Sequence, residues 1–290
     1  MGTRRLILTA DDFGLAVPVN EAVEEAHRRG VLTAASLMVG AGATADAVAR
    51  ARQLPALRVG LHLVLVEGRP VLPPERVPDL VDSDGAFRTD LVKAGFAFFF
   101  LPGVRAQLAA EIRAQFAAFQ ATGLPLDHVN AHNHMHLHPT VSRLMLQVGE
   151  EFGLRGVRLP VEPPGASARA AGTRPWGRRL ASAAWAPWFG LLRSRLRRAG
   201  VAHNDFVFGL NDSGRMEESL VLRQVDSLPR GVTEMYFHIA TRGCPELENQ
   251  MPDYRHQAEL AALLSERVRA RIRSRGIEAT TFSDLPGTGA

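Results

Sequence analysis

Cysteine and lysine are almost missing from this sequence, since Cys244 and Lys93 are the only ones among its 290 residues. A single cysteine excludes an internal disulfide framework and a zinc site built from thiolates, and it indicates a reducing compartment. Long hydrophobic runs are missing as well, because the longest, 94–104, is too short to cross a bilayer and contains Pro102. The N-terminus has no apolar signal-peptide core, so we expect a cytoplasmic protein.

Acidic residues are absent from 163–204, which we call the basic segment. It contains all three tryptophans and many arginines. A helical projection from Trp185 places Trp188 on the same side as an apolar stripe, with Arg193 and Arg197 on other sides. Pro187 argues against one continuous helix through this point.

Two interpretations of the basic segment remain open. Tryptophan and arginine around an apolar stripe are typical of a helix on an anionic membrane surface, which would make the protein peripheral on the inner face of the membrane. The stripe can instead pack on the rest of the protein as a lid, with its arginines in solvent. The sequence pI of about 10.1 also raises nucleic-acid binding. No nucleic-acid motif accompanies it, so we expect no nucleic-acid partner.

Strand-like apolar runs alternate with helical patterns along most of the chain. This alternation predicts an α/β protein, and about eight strands in this length predict an irregular (β/α) barrel of the TIM type. We expect one domain over 1–290, with the basic segment as an excursion. The predicted strands are 6–10, 33–39, 57–66, 126–132, 156–161, 206–210, 233–238 and 278–282. The predicted helices are 18–29, 44–54, 104–122, 140–152, 217–228 and 255–275.

Five of the ten histidines lie in 127–139, which we call the histidine-rich stretch. Imidazoles with a carboxylate are the usual ligands of a borderline divalent ion such as zinc, so the stretch predicts a metal centre. The histidines at 132, 134, 136 and 138 would share one face if the segment stays extended. A catalytic site needs only three protein ligands, so most of these histidines must serve other roles.

Further polar residues stand at predicted strand ends. Asp11 and Asp12 follow the first strand, His62 lies near the end of the third, and His238 ends the seventh. In a barrel these ends meet at the active site. Adjacent aspartates point in different directions, so one can bind a metal while the other contacts a metal-bound water. Structural alternatives are an acidic turn or helix N-cap for the aspartates and hydrogen-bonded core positions for the histidines.

Three motifs together resemble the YdjC-like carbohydrate deacetylases over nearly the whole chain. They are Ala10-Asp11-Asp12-Phe13-Gly14, Gly60-Leu61-His62-Leu63 and His132-x-His134-x-His136, in the family's order and spacing. The aromatic run 96–101 and the basic segment resemble the hopanoid-biosynthesis-associated branch, usually called HpnK. The chain departs from the common pattern at Asn130, where many relatives have aspartate, at Asn133, which replaces a histidine, and at Ile239, where proline is frequent.

The resemblance implies a role for each strand-end residue. Asp12, His62 and His132 would bind the metal, Asp11 would be the general base, and His238 would protonate the leaving amine. Residues that would bind substrate or support the ligands are His134, His136 and Asn133. The lid or membrane contact would use Trp185, Trp188, Arg193 and Arg197.

The predicted function is metal-dependent removal of the N-acetyl group from an acetylated amino sugar, with a lipid-linked N-acetylglucosaminyl hopanoid as the favoured substrate. The expected cofactor is one divalent ion, Zn²⁺ first, with Mg²⁺, Co²⁺ or Ni²⁺ as alternatives. Soluble chitooligosaccharides are an alternative substrate. A metal-dependent hydrolase of another C–N bond or of a phosphoester is an alternative activity.

Overall fold

The computed structural model describes residues 3–287, whose strands form one parallel sheet. Eight strands pair in the order β6-β5-β4-β3-β2-β1-β8-β7, and the ninth, β9, pairs with β1 at Arg5 and Leu6, on the side opposite β8. The strands are β1 (Arg4–Phe13), β2 (Ala34–Leu37), β3 (Arg58–Leu63), β4 (Val129–Ala131), β5 (Gly156–Val157), β6 (Ala202–His203), β7 (Phe206–Phe208), β8 (Gly231–Phe237) and β9 (Glu278–Ala279). All eight predicted strands are present, most of them shorter than expected, and the two-residue β6 is additional.

The sheet curls into a barrel that is open between β6 and β7. These two strands pair with β5 and β8, respectively, and not with each other. The gap is bridged from the segment after β5: the Asn204 side chain bonds both backbone groups of Leu159, and Val207 N–H donates to the Val161 carbonyl at 2.9 Å. The predicted irregular (β/α) barrel is therefore confirmed.

Eleven α-helices surround the barrel among the described residues. They are α1 (Val17–Arg29), α2 (Thr44–Arg52), α3 (Leu91–Phe100), α4 (Pro102–Ala121), α5 (Pro139–Glu151), α6 (Pro164–Ala171), α7 (Trp176–Arg198), α8 (Glu218–Asp226), α9 (Pro245–Gln250), α10 (His256–Leu264) and α11 (Glu266–Ser274). The predicted helix 255–275 is two helices, because the Ser265 side chain accepts the N–H groups of Arg267 and Val268 and starts α11. Each helix buries one apolar face; α5, for example, buries Val141, Met145 and Val148 against the barrel.

Helix α7 corrects the expectation drawn from Pro187. The helix runs without interruption over 23 residues and contains this proline. Pro187 lacks the N–H that would reach the carbonyl four residues earlier, at Ala183, and both residues are exposed. Water can therefore satisfy the freed carbonyl, and the helix tolerates the loss.

The histidine-rich stretch is not extended. Its histidines were expected to share one face only in an extended segment. After β4 it forms a 3₁₀-helical turn, His132–Leu137, kinked where Asn133 and His134 adopt positive φ angles of 50° and 52°. The turn sends successive side chains in different directions, so His132, His134 and His136 do not share a face.

The end of β1 has an irregularity that separates its two aspartates. The register with β2 shifts between Ala10 and Phe13, and Asp12 has a φ of 59°. Bulges of this kind redirect side chains next to active sites. Gly14 follows at φ 97°, with its N–H bonded to the Asn20 side chain at 2.8 Å. The left-handed turn explains the glycine of the motif.

Within residues 3–287, no single helix combines the length and the apolar character needed to cross a membrane. Helices α3 and α4 reach the required length and apolar character only when they are counted together. The pair is bent by 106° at the break between them.

Candidate metal centre

Three donor atoms of the kinds that bind divalent ions converge at the C-terminal ends of β1, β3 and β4. Asp12 Oδ1 lies 3.2 Å from His62 Nε2 and 3.4 Å from His132 Nδ1, and the two nitrogens are 3.4 Å apart. All three residues are buried. No other residue of the histidine-rich stretch belongs to a ligand cluster among the described residues.

The geometry of this triangle fits a bound ion. Ligands at zinc distances of about 2.0–2.2 Å stand about 2.8–3.6 Å from each other in octahedral or tetrahedral arrangements. Both carboxylate oxygens of Asp12 are buried, and neither has a hydrogen-bond partner among residues 3–287. A buried carboxylate without partners is costly unless a cation or donor satisfies it. The residues present therefore fit a divalent ion.

The electrostatics of the centre also favour a cation. Burial by itself lowers the pKa of His132, but Asp12 and Glu67 outweigh it and raise this pKa to about 10. Glu67 Oε2 lies 3.7 Å from His132 Nε2, and Asn133 Nδ2 donates to the same oxygen at 2.7 Å. The carboxylates thus create a negative potential at the histidines.

Asp11 turns away from Asp12 into a buried ion-pair network. Arg158 donates to both oxygens of Asp11, at 2.6 and 2.8 Å, and to both oxygens of Glu234, each at 2.8 Å. Burial raises the pKa of Asp11, but the charge of Arg158 outweighs it and holds this pKa well below its usual range. Asp11 is therefore an ionised carboxylate beside the triangle and separate from it.

His238 faces the second carboxylate oxygen of Asp12, with Nε2 3.8 Å from Oδ2. Its backbone N–H donates to Glu259 at 2.7 Å, and its Nδ1 faces the Ser213 hydroxyl at 3.4 Å. Burial lowers the pKa of His238 more than the charges of Asp12 and Asp11 raise it. The ring is neutral in this environment.

The remaining polar residues predicted for the site lie around it. His134 Nε2 faces the Tyr236 hydroxyl at 3.1 Å, and His136 Nε2 faces the Arg158 carbonyl at 3.0 Å. Burial, followed by the charge of Arg158, lowers the pKa of His136 to about 3 and that of His134 well below its usual value. Both rings are neutral, and they frame Arg158 and Tyr236 rather than the triangle.

An apolar groove of about 680 Å³ opens beside Asn133 and His134. Its walls are α3 and α7, and its floor is the histidine-rich stretch. The lining side chains include Phe96, Phe99, Phe100, Trp185, Trp188 and Phe189. We call this cavity the apolar groove.

Helix α7 packs its apolar stripe on the barrel and leaves other side chains of the basic segment exposed. Its stripe residues Phe189, Leu192 and Leu196 are buried, as packing on the barrel requires. Trp185 and Trp188 remain 51% and 39% exposed in the wall of the groove. Arg193 is half-buried and Arg197 is exposed.

Sequence reasoning missed the residues that support the site. The sequence pattern places Arg158 and Glu234 only inside predicted strands. It marks Asn130 only as a departure from the common pattern of the family. Asn130 accepts a hydrogen bond from His62 Nδ1 at 2.7 Å and donates to Asp11 at 3.0 Å. The sequence does contain one signal for Arg158 and Glu234. Each is a charged residue inside an apolar strand, and a charge in such a position needs a buried partner. The two runs are Gly156-Val157-Arg158-Leu159 and Thr233-Glu234-Met235.

Comparison with known proteins identifies the family. The family model described as YdjC-like protein matches residues 5–274. The chain belongs to the YdjC-like protein family. Its similarity to a carbohydrate deacetylase of Mus musculus is 30% identity over an alignment of 316 residues, covering 98% of this chain and 97% of the mouse protein.

Other curated relatives match over shorter lengths. A carbohydrate deacetylase of Brevibacillus brevis is 40% identical over 163 residues, which are 55% of this chain and 59% of that protein. The chain spans about three fifths of the length of the bacterial curated relatives it matches. A crystal structure of an Enterococcus faecalis protein named for cellobiose-phosphate cleavage has the same fold, with a TM-score of 0.76, 25% identity and coverage of 98% of this chain and 99% of that chain.

Proposed function

We propose that this YdjC-like protein is a metal-dependent hydrolase that removes the N-acetyl group from an acetylated amino sugar. The triangle of Asp12, His62 and His132, next to the separate ionised carboxylate of Asp11, carries the proposal. The relatives named carbohydrate deacetylases in Brevibacillus brevis and Mus musculus support the substrate class. Two imidazoles and one carboxylate favour zinc, with cobalt, nickel and magnesium as alternatives.

The proposed roles follow from the positions of the side chains. The triangle would hold the ion, which supplies Lewis acidity to the acyl oxygen and to the attacking water. Asp11 Oδ2 accepts one hydrogen bond, from Arg158, so this oxygen keeps a lone pair to take a proton from the water. His238 Nε2, which faces Oδ2 of Asp12, would take up one proton from solvent and donate it to the departing amine, and the proton on Asp11 would return to solvent.

Metal analysis combined with acetate release tests this function. We expect the purified protein to bind one divalent ion per chain and to release acetate and free amine in equal amounts from N-acetylglucosaminyl substrates. Chelation should stop the release, and added ion should restore it. Release of phosphate or ammonia without acetate would instead favour a different metal-dependent hydrolase.

The apolar groove supports a lipid-linked substrate. It begins at Asn133, the neighbour of His132, so a sugar at the metal centre would have its substituent directed between α3 and α7. Aromatic rings line both walls, and Phe99 and Phe100 contact each other at 4.8 Å between centroids. A soluble oligosaccharide offers such walls only the C–H faces of its rings and its acetyl methyl groups, which is much less apolar surface than a lipid offers. We therefore favour a hopanoid carrying N-acetylglucosamine, and with it the HpnK branch, over chitooligosaccharides.

Shortening the groove walls should separate the two substrate classes. We expect the double substitution Phe99→Ala and Trp188→Ala to raise KM for the lipid-linked substrate by roughly tenfold or more, because burying one large apolar side chain contributes about 1.5–3 kcal/mol. KM for acetylated chitobiose should stay unchanged. Leu191→Ala on the outer side of α7 is the matched control. Equal losses on both substrates would contradict a lipid-binding groove.

The rim of the groove supports contact with an anionic membrane. Phe96 and Phe100 of α3 are 62% and 61% exposed, and Leu180 of α7 is 70% exposed. Exposed apolar side chains gathered in one area mark an interaction surface. The exposed Arg179 and Arg198 lie on the same helix as Leu180, as an interfacial helix on anionic lipid requires.

Vesicle co-sedimentation tests the membrane contact. Each arginine near an anionic surface contributes about 1 kcal/mol, so Arg179→Gln with Arg198→Gln should weaken binding to phosphatidylglycerol vesicles by roughly tenfold or more. The control pair Arg267→Gln and Arg273→Gln removes the same charge from α11 and should leave binding unchanged. Equal binding of wild type to neutral and anionic vesicles would count against this surface.

A further inference from the structure

A chain of buried polar side chains runs through the barrel interior to the metal centre. Asp127 Oδ2 lies 2.8 Å from His128 Nδ1, and His128 Nε2 lies 3.0 Å from Ser36 Oγ. Asn130 Nδ2 lies 2.9 Å from the same Ser36 oxygen. We call these four side chains the relay.

The first three members have the order of a Ser-His-Asp triad, yet their environment excludes nucleophilic catalysis. Ser36 and His128 are completely buried, so neither side chain is accessible to a substrate from solvent. The His128 ring stacks on Phe282 at 4.7 Å, and a Cβ at Gly60 would lie only 2.5 Å from it. The glycine of the Gly60-Leu61-His62-Leu63 motif thus leaves the space that the ring occupies.

The direction of each hydrogen bond follows from its acceptors. Asp11 accepts hydrogen bonds from Arg158 on both oxygens, and Asp127 accepts the N–H and the hydroxyl of Ser283, so both act as carboxylates. An ionised carboxylate only accepts, so Asn130 must turn its NH₂ group toward Asp11, and His128 must turn Nδ1–H toward Asp127. At each end of the relay a carboxylate accepts the hydrogen bond, and the neighbouring side chain donates it.

The amide of Asn130 then has one arrangement. Its second N–H donates to Ser36 at 2.9 Å, and the Ser36 hydroxyl lies 3.0 Å from His128 Nε2. The Asn130 oxygen is left facing His62 Nδ1 at 2.7 Å, so this nitrogen must carry the proton. When His62 binds an ion, only Nε2 is therefore available to face the triangle.

We infer that the relay is a positioning device that fixes the ring nitrogen with which His62 binds the ion and, through the same amide, holds Asp11 in place. Outer hydrogen bonds of this kind fix the tautomer and orientation of a ligating imidazole. Asn130 is the member that reaches both ends, since an amide has a donor and an acceptor to divide between them. The inference rests on the proposed metal site.

Replacing Asn130 tests the relay with two measurements. In metal-free wild-type protein at about pH 8, ¹⁵N NMR should show His62 with its proton on Nδ1. Asn130→Ala should remove this preference and weaken zinc binding, measured by competition with a chelator, by about 10- to 100-fold. Asn130→Asp keeps an acceptor for His62 and should keep both the tautomer and the zinc affinity, but it cannot donate to Asp11 and should lower kcat.

Two further variants complete the test. Asn204→Ala removes an equally buried asparagine that bonds only backbone groups, and it should change neither the tautomer nor the affinity. Ser36→Ala should give a smaller loss of zinc affinity than Asn130→Ala. An unchanged tautomer and affinity in Asn130→Ala, or no effect of Ser36→Ala, would overturn the relay. If the wild type binds no zinc, the metal site is wrong, while the metal-free NMR experiment still decides the tautomer.

Discussion

Asp11→Asn is expected to leave the ion bound and to lower kcat by about a hundredfold to ten-thousandfold, the range of general-base contributions. Asp11 lies outside the donor triangle, so its removal takes no ligand from the ion. The substitution keeps the size of the side chain but removes the negative charge that makes it basic enough to accept a proton from water. Metal content and acetate release, measured on the same preparation, check both halves of this expectation.

The chain offers a matched control for this substitution. Asp212 also accepts two hydrogen bonds from one arginine, Arg178, at 2.8 and 2.7 Å, and it lies outside the metal cluster. Asp212→Asn therefore breaks a similar ion pair and should leave kcat near the wild-type value. Loss of the ion in Asp11→Asn would show that Asp11 is a ligand, and a wild-type kcat would transfer the role of base to another group.

Much of the barrel could be predicted because its pattern is local. Strand-like runs alternate with helices, and the strand ends carry the polar residues, so the meeting of Asp12, His62 and His132 follows from parallel topology. The splitting of 255–275 could not be predicted from periodicity, because one serine side chain decides it. The continuity of α7 through Pro187 depends on exposure, which the pattern does not contain.

The site beyond the triangle depends on contacts distant in sequence. Arg158 joins Asp11, 147 residues away, to Glu234, 76 residues away. Nothing local distinguishes such partners from ordinary strand residues. In the histidine-rich stretch the local pattern was instead misleading. Its spacing implies a shared face only for an extended chain, and the positive φ angles of Asn133 and His134 remove that face. The density of histidines indicated where the metal centre lies. The backbone conformation decides that His132 is the histidine of this stretch that reaches it.

Asp12→Asn is expected to abolish binding of the ion at concentrations that saturate the wild type. Asp12 provides the only carboxylate of the triangle, so the loss should exceed the about 10- to 100-fold expected for a change outside the ligand set. Asparagine is a better replacement than alanine, because residue 12 has a φ of 59° and asparagine tolerates the left-handed region. Backbone strain therefore does not obscure the result.

Thermal unfolding gives this prediction a second measurement. In the metal-free protein Asp12 faces His132 and raises its pKa, so Asp12→Asn should lower Tm even without zinc, and each variant is therefore compared with its own metal-free form. An ion that binds only the folded state raises Tm, and saturating zinc should do so for the wild type and for Asp11→Asn but not for Asp12→Asn. A zinc-dependent rise of the same size in Asp12→Asn would place the ion elsewhere. Because Asp11 and Asp12 are adjacent and differ in their partners, the pair of variants separates binding of the ion from transfer of the proton.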